Sequence, residues 1–329
     1  MLRRLLVVGL ATAGLALPAP AFATSPPAVA IFYYPWYATP DVDGIWAHWD
    51  QNDHRPPVDL YSRFYPASGP YSSADPVVLA RQMAQIAGAG IGEVIVSWWG
   101  DGSWEDVRLP SVLASARRHH LAAALHLEPY EGRSASTVAG DLEYAASLGI
   151  RDVYVYRPED LSIADWARVR AQAPPGMRLF AGTQLVGFAA AAHFDGLYTY
   201  DFVSFGADTF ARLCQEAHAA HLLCAPSVGP GFDGRRAGEA PVRDRKGGQT
   251  YDTLWAAALA AAPDVVTITS FNEWGEGTQI EPAAPHKGYA TYSGAWGQTG
   301  DAAEYAYLTR TAYWTAKARS TLVVAATRP

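Results

Sequence analysis

Eight times between Ala28 and Thr321, a run of apolar, β-branched and aromatic residues gives way to a segment with helical spacing. The runs read as strands are AVAIFYYPWY (28–37), GEVIVSWW (92–99), LAAALHLEPY (121–130), RDVYVYR (151–157), RLFAGTQ (178–184), DGLYTY (195–200), LLCAPSVGPG (222–231) and DVVTITSFNEW (264–274). Strands this apolar are buried on both faces, and helices inserted between them make the sheet parallel. Eight units in a chain of this length predict an α/β fold, a (β/α)8 TIM barrel. A doubly wound open sheet is the competing arrangement, but no G-x-G-x-x-G follows the first strand. The helix signals agree with the alternation. Asp75 and Pro76 suit the N-cap and first helical position, a serine opens the 134–149 helix and Gly149 closes it, and Thr250 stands near a cap. The second helix is read over 109–120. Half of the residues are hydrophobic and 17% are charged, which supplies one sizeable core.

The first 23 residues stand apart from this pattern. Arg3 and Arg4, an apolar stretch from Leu5 to Leu17 and the A-x-A motif Ala21-Phe22-Ala23 predict a cleavable signal peptide. The expected organisation is therefore 1–23 signal peptide and 24–329 a single catalytic domain, secreted and free of the membrane after cleavage. The formal charge is −7. Removing two arginines makes it more negative, so nucleic acid is excluded as a partner, because phosphate contacts need a basic face. Cys214 and Cys224 are the two cysteines. Export permits a disulfide between them, and a pair of buried free thiols fits equally. His48, Asp53 and His54, and the pair His119-His120, lack a convincing ligand spacing, so no metal is expected.

Two long loops, 38–74 after the first strand and 227–249 after the seventh, lie where strands end. In such barrels that face carries the active site. The strand ends bring Tyr34, Trp99, His126, Glu128, Tyr130, Tyr198, Asn272, Trp274, Glu273 and Glu276 toward one aromatic and acidic rim. Aromatic faces stack on sugar rings, and two glutamates around one scissile bond are the equipment of glycoside hydrolysis. Repulsion between neighbouring carboxylates raises the pKa of one, which yields an acid and a base near neutral pH. The structural readings run alongside. His126 on an apolar strand suits a core histidine, Glu128 suits a pair with Arg133, and Glu281, followed by Pro282, reads as a solvated loop charge. Trp98 and Trp99 point to opposite faces of their strand, so at most one meets a ligand.

FNEWGEGTQIE (271–281) closely resembles the signature of glycoside hydrolase family 99, the endo-α-mannosidases and bacterial endo-α-1,2-mannanases. FYYPWY, FYPASGPYSSADPVVL (64–79), GEVIVSWW, HLEPYEGR (126–133), FDGLYTY (194–200) and PSVGPGFD (226–233) resemble family blocks in the same order. The resemblance implies a retaining endo-acting hydrolase of α-mannan or mannose-containing oligosaccharide, without metal or cofactor. It implies a route through a 1,2-anhydro sugar, with Glu273 as base for the sugar's 2-hydroxyl and Glu276 as acid/base. Tyr34, Glu128 and Tyr198 fall on substrate-contacting blocks, and Trp99 matches the bacterial members. Two departures stand out. Gly275 replaces the histidine common between the two glutamates, which removes a side chain from the site's edge, and the segment 151–184 matches poorly. A non-catalytic carbohydrate-binding barrel and a hydrolase of another glycan using Glu128 in double displacement are the competing functions.

Overall fold

The structure, a computed structural model, describes residues 25–240 and 242–325. The expected signal peptide lies outside them. Each strand run is shorter than its sequence signal, because the last residues leave the ladder to build the rim. The strands are β1 (Ala28–Tyr33), β2 (Glu93–Trp98), β3 (Ala122–Leu127), β4 (Asp152–Val155), β5 (Arg178–Gly182), β6 (Gly196–Tyr198), β7 (Leu223–Ala225, continuing as Ser227–Val228) and β8 (Val265–Ile268). All neighbouring pairs are parallel. The two ends of the sheet order are the two halves of β7, one paired with β6 and the other with β8. Pro226 parts them and its carbonyl accepts from Thr267 N at 3.1 Å, so the sheet closes on itself. The barrel expected from the alternation is present.

The helices follow in step: α1 (Pro76–Gly88), α2 (Trp104–Arg118), α3 (Ala135–Ser147), α4 (Ile163–Gln172), α5 (Val186–Ala191), α6 (Phe210–Ala219), α7 (Gln249–Ala260) and α8 (Ala306–Ala325). Asp75 caps α1 by accepting from Val77 N at 2.8 Å, with Pro76 at the first helical position. Ser134 caps α3 in a reciprocal box with Thr137. Thr250 lies inside α7 and donates to Asp244 O. The start of α2 was placed too late: Ser103 caps it, Glu105 and Asp106 favour its first turn, and Pro110 is carried within it. The Cys214–Cys224 disulfide ties α6 to β7. Among the described residues no helix is long and apolar enough to cross a membrane.

Strand parity sorts the side chains into two layers. Ala30, Phe32 and Tyr34 of the β1 run, Ile95 of β2, Ala124 of β3, Tyr154 of β4, Phe180 of β5, Tyr198 of β6 and Ala225 of β7 fill the barrel interior. Val29, Ile31, Tyr33, Val94, Val96, Trp98, Leu125 and Leu127 pack outward against the helices. The inward parity carries Ser97, His126 and Glu128 to the top of the interior. Trp98 is buried outside, its indole N–H donating to Asp106 at 2.9 Å, while Trp99 stands 38% exposed at the rim.

Candidate active site

The chain after β8 makes a tight, buried loop that begins with a cis Thr269–Ser270 peptide. Several contacts hold it. Asn272 spans to the end of β1, accepting from Tyr34 N at 2.8 Å and donating to Tyr34 O at 2.9 Å. Tyr37 OH donates to Asn272 O at 2.9 Å and accepts from Trp274 N at 3.0 Å. Ser270 Oγ accepts from Glu273 N at 2.8 Å. This framework sets Glu273 and Glu276 at the barrel mouth.

The two carboxyls differ in their surroundings. Glu273 is 6% exposed; its Oε1 accepts from Gly275 N at 3.1 Å, and its Oε2 is buried without a hydrogen-bond partner among the described residues. Burial, and then the charge of Glu276, push its pKa well up. Glu276 meets Tyr200 OH at a long 3.5 Å and borders a pocket of about 180 Å³ shared with Tyr156, Tyr200, Asp201 and Phe232. Its pKa is also raised, by burial first and then by Glu239 and Glu128. Burial outweighs the donors at both carboxyls, so the pair holds at least one proton near neutral pH and the site has a donor and an acceptor together.

Opposite lies a second constellation. Glu128 accepts from Ser97 Oγ at 2.9 Å, and its Oε1 lies 2.8 Å from His126 Nδ1, off the line that a hydrogen bond needs. His126 Nε2 pairs with Tyr198 OH at 2.8 Å, and its ring stacks on Tyr200 with centroids 5.5 Å apart. Tyr200 OH and Tyr34 OH share a short hydrogen bond. Burial, helped by the carboxylates, raises the pKa of Tyr34, Tyr198 and Tyr200, so these phenols stay neutral donors.

The structure thus gathers Tyr34, His126, Glu128, Tyr198, Glu273 and Glu276 at one end of the barrel, with Trp99 at its rim. It redirects others. Asn272 and Trp274 are wholly buried, so the expectation that they touch substrate gives way to a supporting role. Tyr130 turns its hydroxyl to Asp141 on α3. Arg133 is engaged by Tyr156 O, Arg157 O and Asp160 rather than by Glu128. Glu281 is no solvated charge. It is 4% exposed and accepts from Tyr71 OH at 2.7 Å, Gln82 Nε2 at 2.8 Å and Trp274 Nε1 at 3.0 Å. Its neighbour Pro282 signalled a turn, but the turn folds inward onto α1. Nor does Gly275 leave an empty edge: the Tyr61 ring fills the space beside it. His54 pairs with Asp59, and His48 stacks on Trp36.

Sequence reasoning missed Ser97, Tyr61 and Ser270 as site residues, and placed Tyr200 at the rim without assigning it to the site. Parity on β2 identifies Ser97, and Tyr200 stands two residues beyond Tyr198. Tyr61 had no signal of its own beyond its place in a long rim loop.

Comparison with known proteins adds an independent line. A model of glycosyl hydrolase family 99 matches residues 26–158 and 179–320. The gap falls within the segment whose resemblance was poor and contains α4. A glycoprotein endo-alpha-1,2-mannosidase-like protein of Homo sapiens is 34% identical over 320 residues, covering 78% of this chain and 68% of the relative. A glycoprotein endo-alpha-1,2-mannosidase of Rattus norvegicus is 30% identical over 323 residues, covering 79% and 68%. Among solved structures, the GH99 endo-alpha-mannosidase from Bacteroides thetaiotaomicron superposes with a TM-score of 0.79 at 28% identity, covering 91% of this chain and 99% of that one.

Proposed function

This chain belongs to glycosyl hydrolase family 99 and is an endo-alpha-mannosidase-like glycoside hydrolase; we propose that it cleaves α-1,2-mannosidic linkages within mannans, with Glu273 and Glu276 as its catalytic pair. The observation that carries the assignment of roles is Glu273 Oε2, a buried carboxylate oxygen without a hydrogen-bond partner among the described residues, three residues from a second, half-buried carboxyl. A buried acceptor left unpaired costs about 1–3 kcal/mol, and a donor arriving with the substrate removes that cost. A sugar hydroxyl is such a donor.

The proposed reaction follows from that placement. Glu273, ionised, takes the proton of the 2-hydroxyl as O2 attacks the anomeric carbon. Glu276, protonated, gives its proton to the glycosidic oxygen as that bond breaks. The products are the shortened glycan and a 1,2-anhydro sugar. Glu276, now ionised, takes a proton from water as the water oxygen attacks the anomeric carbon. The C1–O2 bond opens and Glu273 returns its proton to O2. Two inversions give net retention. The raised pKa values serve both roles: Glu273 is a stronger base than an exposed carboxylate, and Glu276 keeps its proton near neutrality. Tyr34 and Tyr200 supply neutral donors to hydroxyls, Tyr198 is buried behind them against His126, and Glu128, oriented by Ser97, supplies an acceptor.

Incubation of the purified protein with α-1,2-linked mannan, with product linkage and anomeric configuration followed by NMR, tests this reading. Retained configuration and internal cleavage are the expected result. A glycosyl adduct trapped on Glu128 would replace the anhydro route by double displacement, and binding without product would make the barrel a carbohydrate-binding one. The disulfide between Cys214 and Cys224 supports export to an oxidising compartment. N-terminal sequencing of the exported protein is expected to begin at Thr24.

A further inference from the structure

Gly275 and Tyr61 compete for one space. A Cβ placed on Gly275 would lie 2.6 Å from Tyr61 Cε1, 3.2 Å from its Cδ1 and 3.1 Å from Glu273 Oε1. Gly275 is not among the positive-φ glycines, so its backbone is open to other residues. The neighbouring ring, not the conformation, demands glycine here.

The segment bearing Tyr61 is held from behind. Its N–H donates to Trp49 O at 2.8 Å, and its ring meets the edge of His54 at 6.0 Å. His54 Nδ1 lies 2.6 Å from Asp59 Oδ2, and Arg236 Nη1 donates to Asp59 Oδ1 at 2.5 Å and to Leu60 O at 2.9 Å. Arg236 belongs to the loop after β7. The two long rim loops therefore clasp each other immediately before Tyr61. Nearby, Asp233 N of the same loop donates to Glu276 O at 2.8 Å. The front of Tyr61 differs from its back. The ring is half-buried, and among the described residues no hydrogen bond contributes to the pKa of its hydroxyl. Burial and the charges of Glu273, Glu239 and Glu276 push its pKa up to about 12, so it is a neutral donor in the field of the catalytic pair. A flat ring beside a carboxylate, with a free donor at its tip, is built to stack on a sugar and bond one of its hydroxyls.

We propose that Tyr61 is a specificity-determining residue: it walls the subsite on the Glu273 side, stacks on the mannosyl unit bound there and donates to one of its hydroxyls, while Gly275 makes room for it. This rests on the reading of the site as that of an α-mannoside hydrolase. Because the clasp joins both rim loops, the wall is preorganised rather than assembled by the substrate.

The test is a mutant cycle on the full chain, with α-1,2-mannotriose as probe in calorimetry and in turnover. Tyr61→Ala is expected to raise Kd and KM about tenfold while kcat changes by less than about threefold, and Tyr61→Phe to raise them about two- to fivefold. Gly275→Ala is expected to lower kcat/KM about tenfold with Tyr61 present and by less than about twofold in the Tyr61→Ala background. Melting temperatures of all variants identify any that fail to fold. A folded Tyr61→Ala with wild-type Kd and KM overturns the proposal, as does a Gly275→Ala effect that is the same in both backgrounds. The two readings fail separately. If the wild type binds the trisaccharide and Tyr61→Ala weakens binding but no product forms, the hydrolase reading falls and the wall stands. If the wild type turns over and the Tyr61 variants match it, the wall alone falls. A wild type that neither binds nor cleaves overturns both.

Discussion

The two ends of the barrel carry acidic residues in contrasting company. At the bottom, where strands begin, Asp152, Asp195 and Asp264 stand at or just before β4, β6 and β8. Asp152 takes Arg178 Nε at 2.7 Å, and Asp195 takes Arg170 Nη2 at 2.9 Å and Leu179 N at 2.8 Å. Asp264 takes His218 Nε2 at 2.9 Å and Cys224 N at 2.8 Å. Two of these carboxylates pair with arginines and the third with a histidine, and two of them also tie backbone N–H groups of neighbouring strands. At the top, Glu273 and Glu276 keep the company of other acids beside Tyr34 and Tyr200, and Glu273 Oε2 has no hydrogen-bond partner among the described residues. The larger cavity is at the bottom, about 680 Å³ against about 180 Å³ beside Glu276. Space therefore does not set the top apart. The buried oxygen of Glu273 does, because a substrate hydroxyl that pairs with it would remove a desolvation cost.

The sharpest break in this comparison is the same isosteric change at both ends. Glu273→Gln and Glu276→Gln are each expected to lower kcat on α-mannan by about 10²–10⁴-fold without lowering the melting temperature. Glu93→Gln at the bottom is expected to leave kcat within about twofold, although burial and Asp152 also push that carboxyl up, to about 8. Comparable losses at the two ends would erase the distinction.

Glu281 sharpens it, being a glutamate of the top loop with its partners in place. Burial raises its pKa to about 7, even though Gln82, Tyr71 and Trp274 donate to it. Its folded value lies above its unfolded one, so the native state holds the proton longer. Stability is full below the unfolded pKa and is lost as pH rises to about 7, by about 3 kcal/mol at 1.4 kcal/mol per unit. Glu281→Gln carries no such proton. A flip of Gln82, which now accepts from Tyr33 OH at 2.6 Å, preserves the hydrogen bonds. Urea midpoints at pH 5 and pH 8 should show the variant gaining on wild type at the higher pH, and a difference that is constant with pH would refute the buried-acid account.

Smaller effects belong to the lower half. The Cys214–Cys224 bridge spans a sequence separation of 10, so its removal by Cys214→Ala/Cys224→Ala is expected to cost about 2–3 kcal/mol with turnover unchanged. Asp152→Asn, which loosens a pair whose arginine is half exposed, is expected to cost about 1 kcal/mol, again with turnover unchanged. Chemical denaturation with parallel assays checks both, and an activity loss beyond the unfolded fraction would tie the bottom face to catalysis.

The barrel was legible because its cause is local. Eight apolar runs of strand length separated by helical spacing have one compact solution, and the caps at Asp75 and Ser134 were readable residue by residue. The end of the third strand also put His126 and Glu128 at the rim, although the pairing of Glu128 with Arg133 that the sequence suggested is not made. The rim was less legible. Trp274 looked like a sugar platform beside two glutamates, yet its ring is pinned under the loop by Tyr71 and Glu281. Tyr61 looked like ordinary loop, because nothing nearby in the chain announces that it will meet Gly275.

The sequence alone determined the alternation and the end of the barrel at which Glu273 and Glu276 stand, since each depends on spacing within a few residues. Tertiary structure alone decided what each glutamate is for. Glu281 found Tyr71 and Gln82, 210 and 199 residues away, and became a buried strut. Glu273, eight positions earlier in the chain, has no hydrogen-bond partner for Oε2 among the described residues. A carboxyl's proton affinity and freedom to react depend on burial and on the donors around it, and those are supplied by distant segments that only the closed barrel brings together.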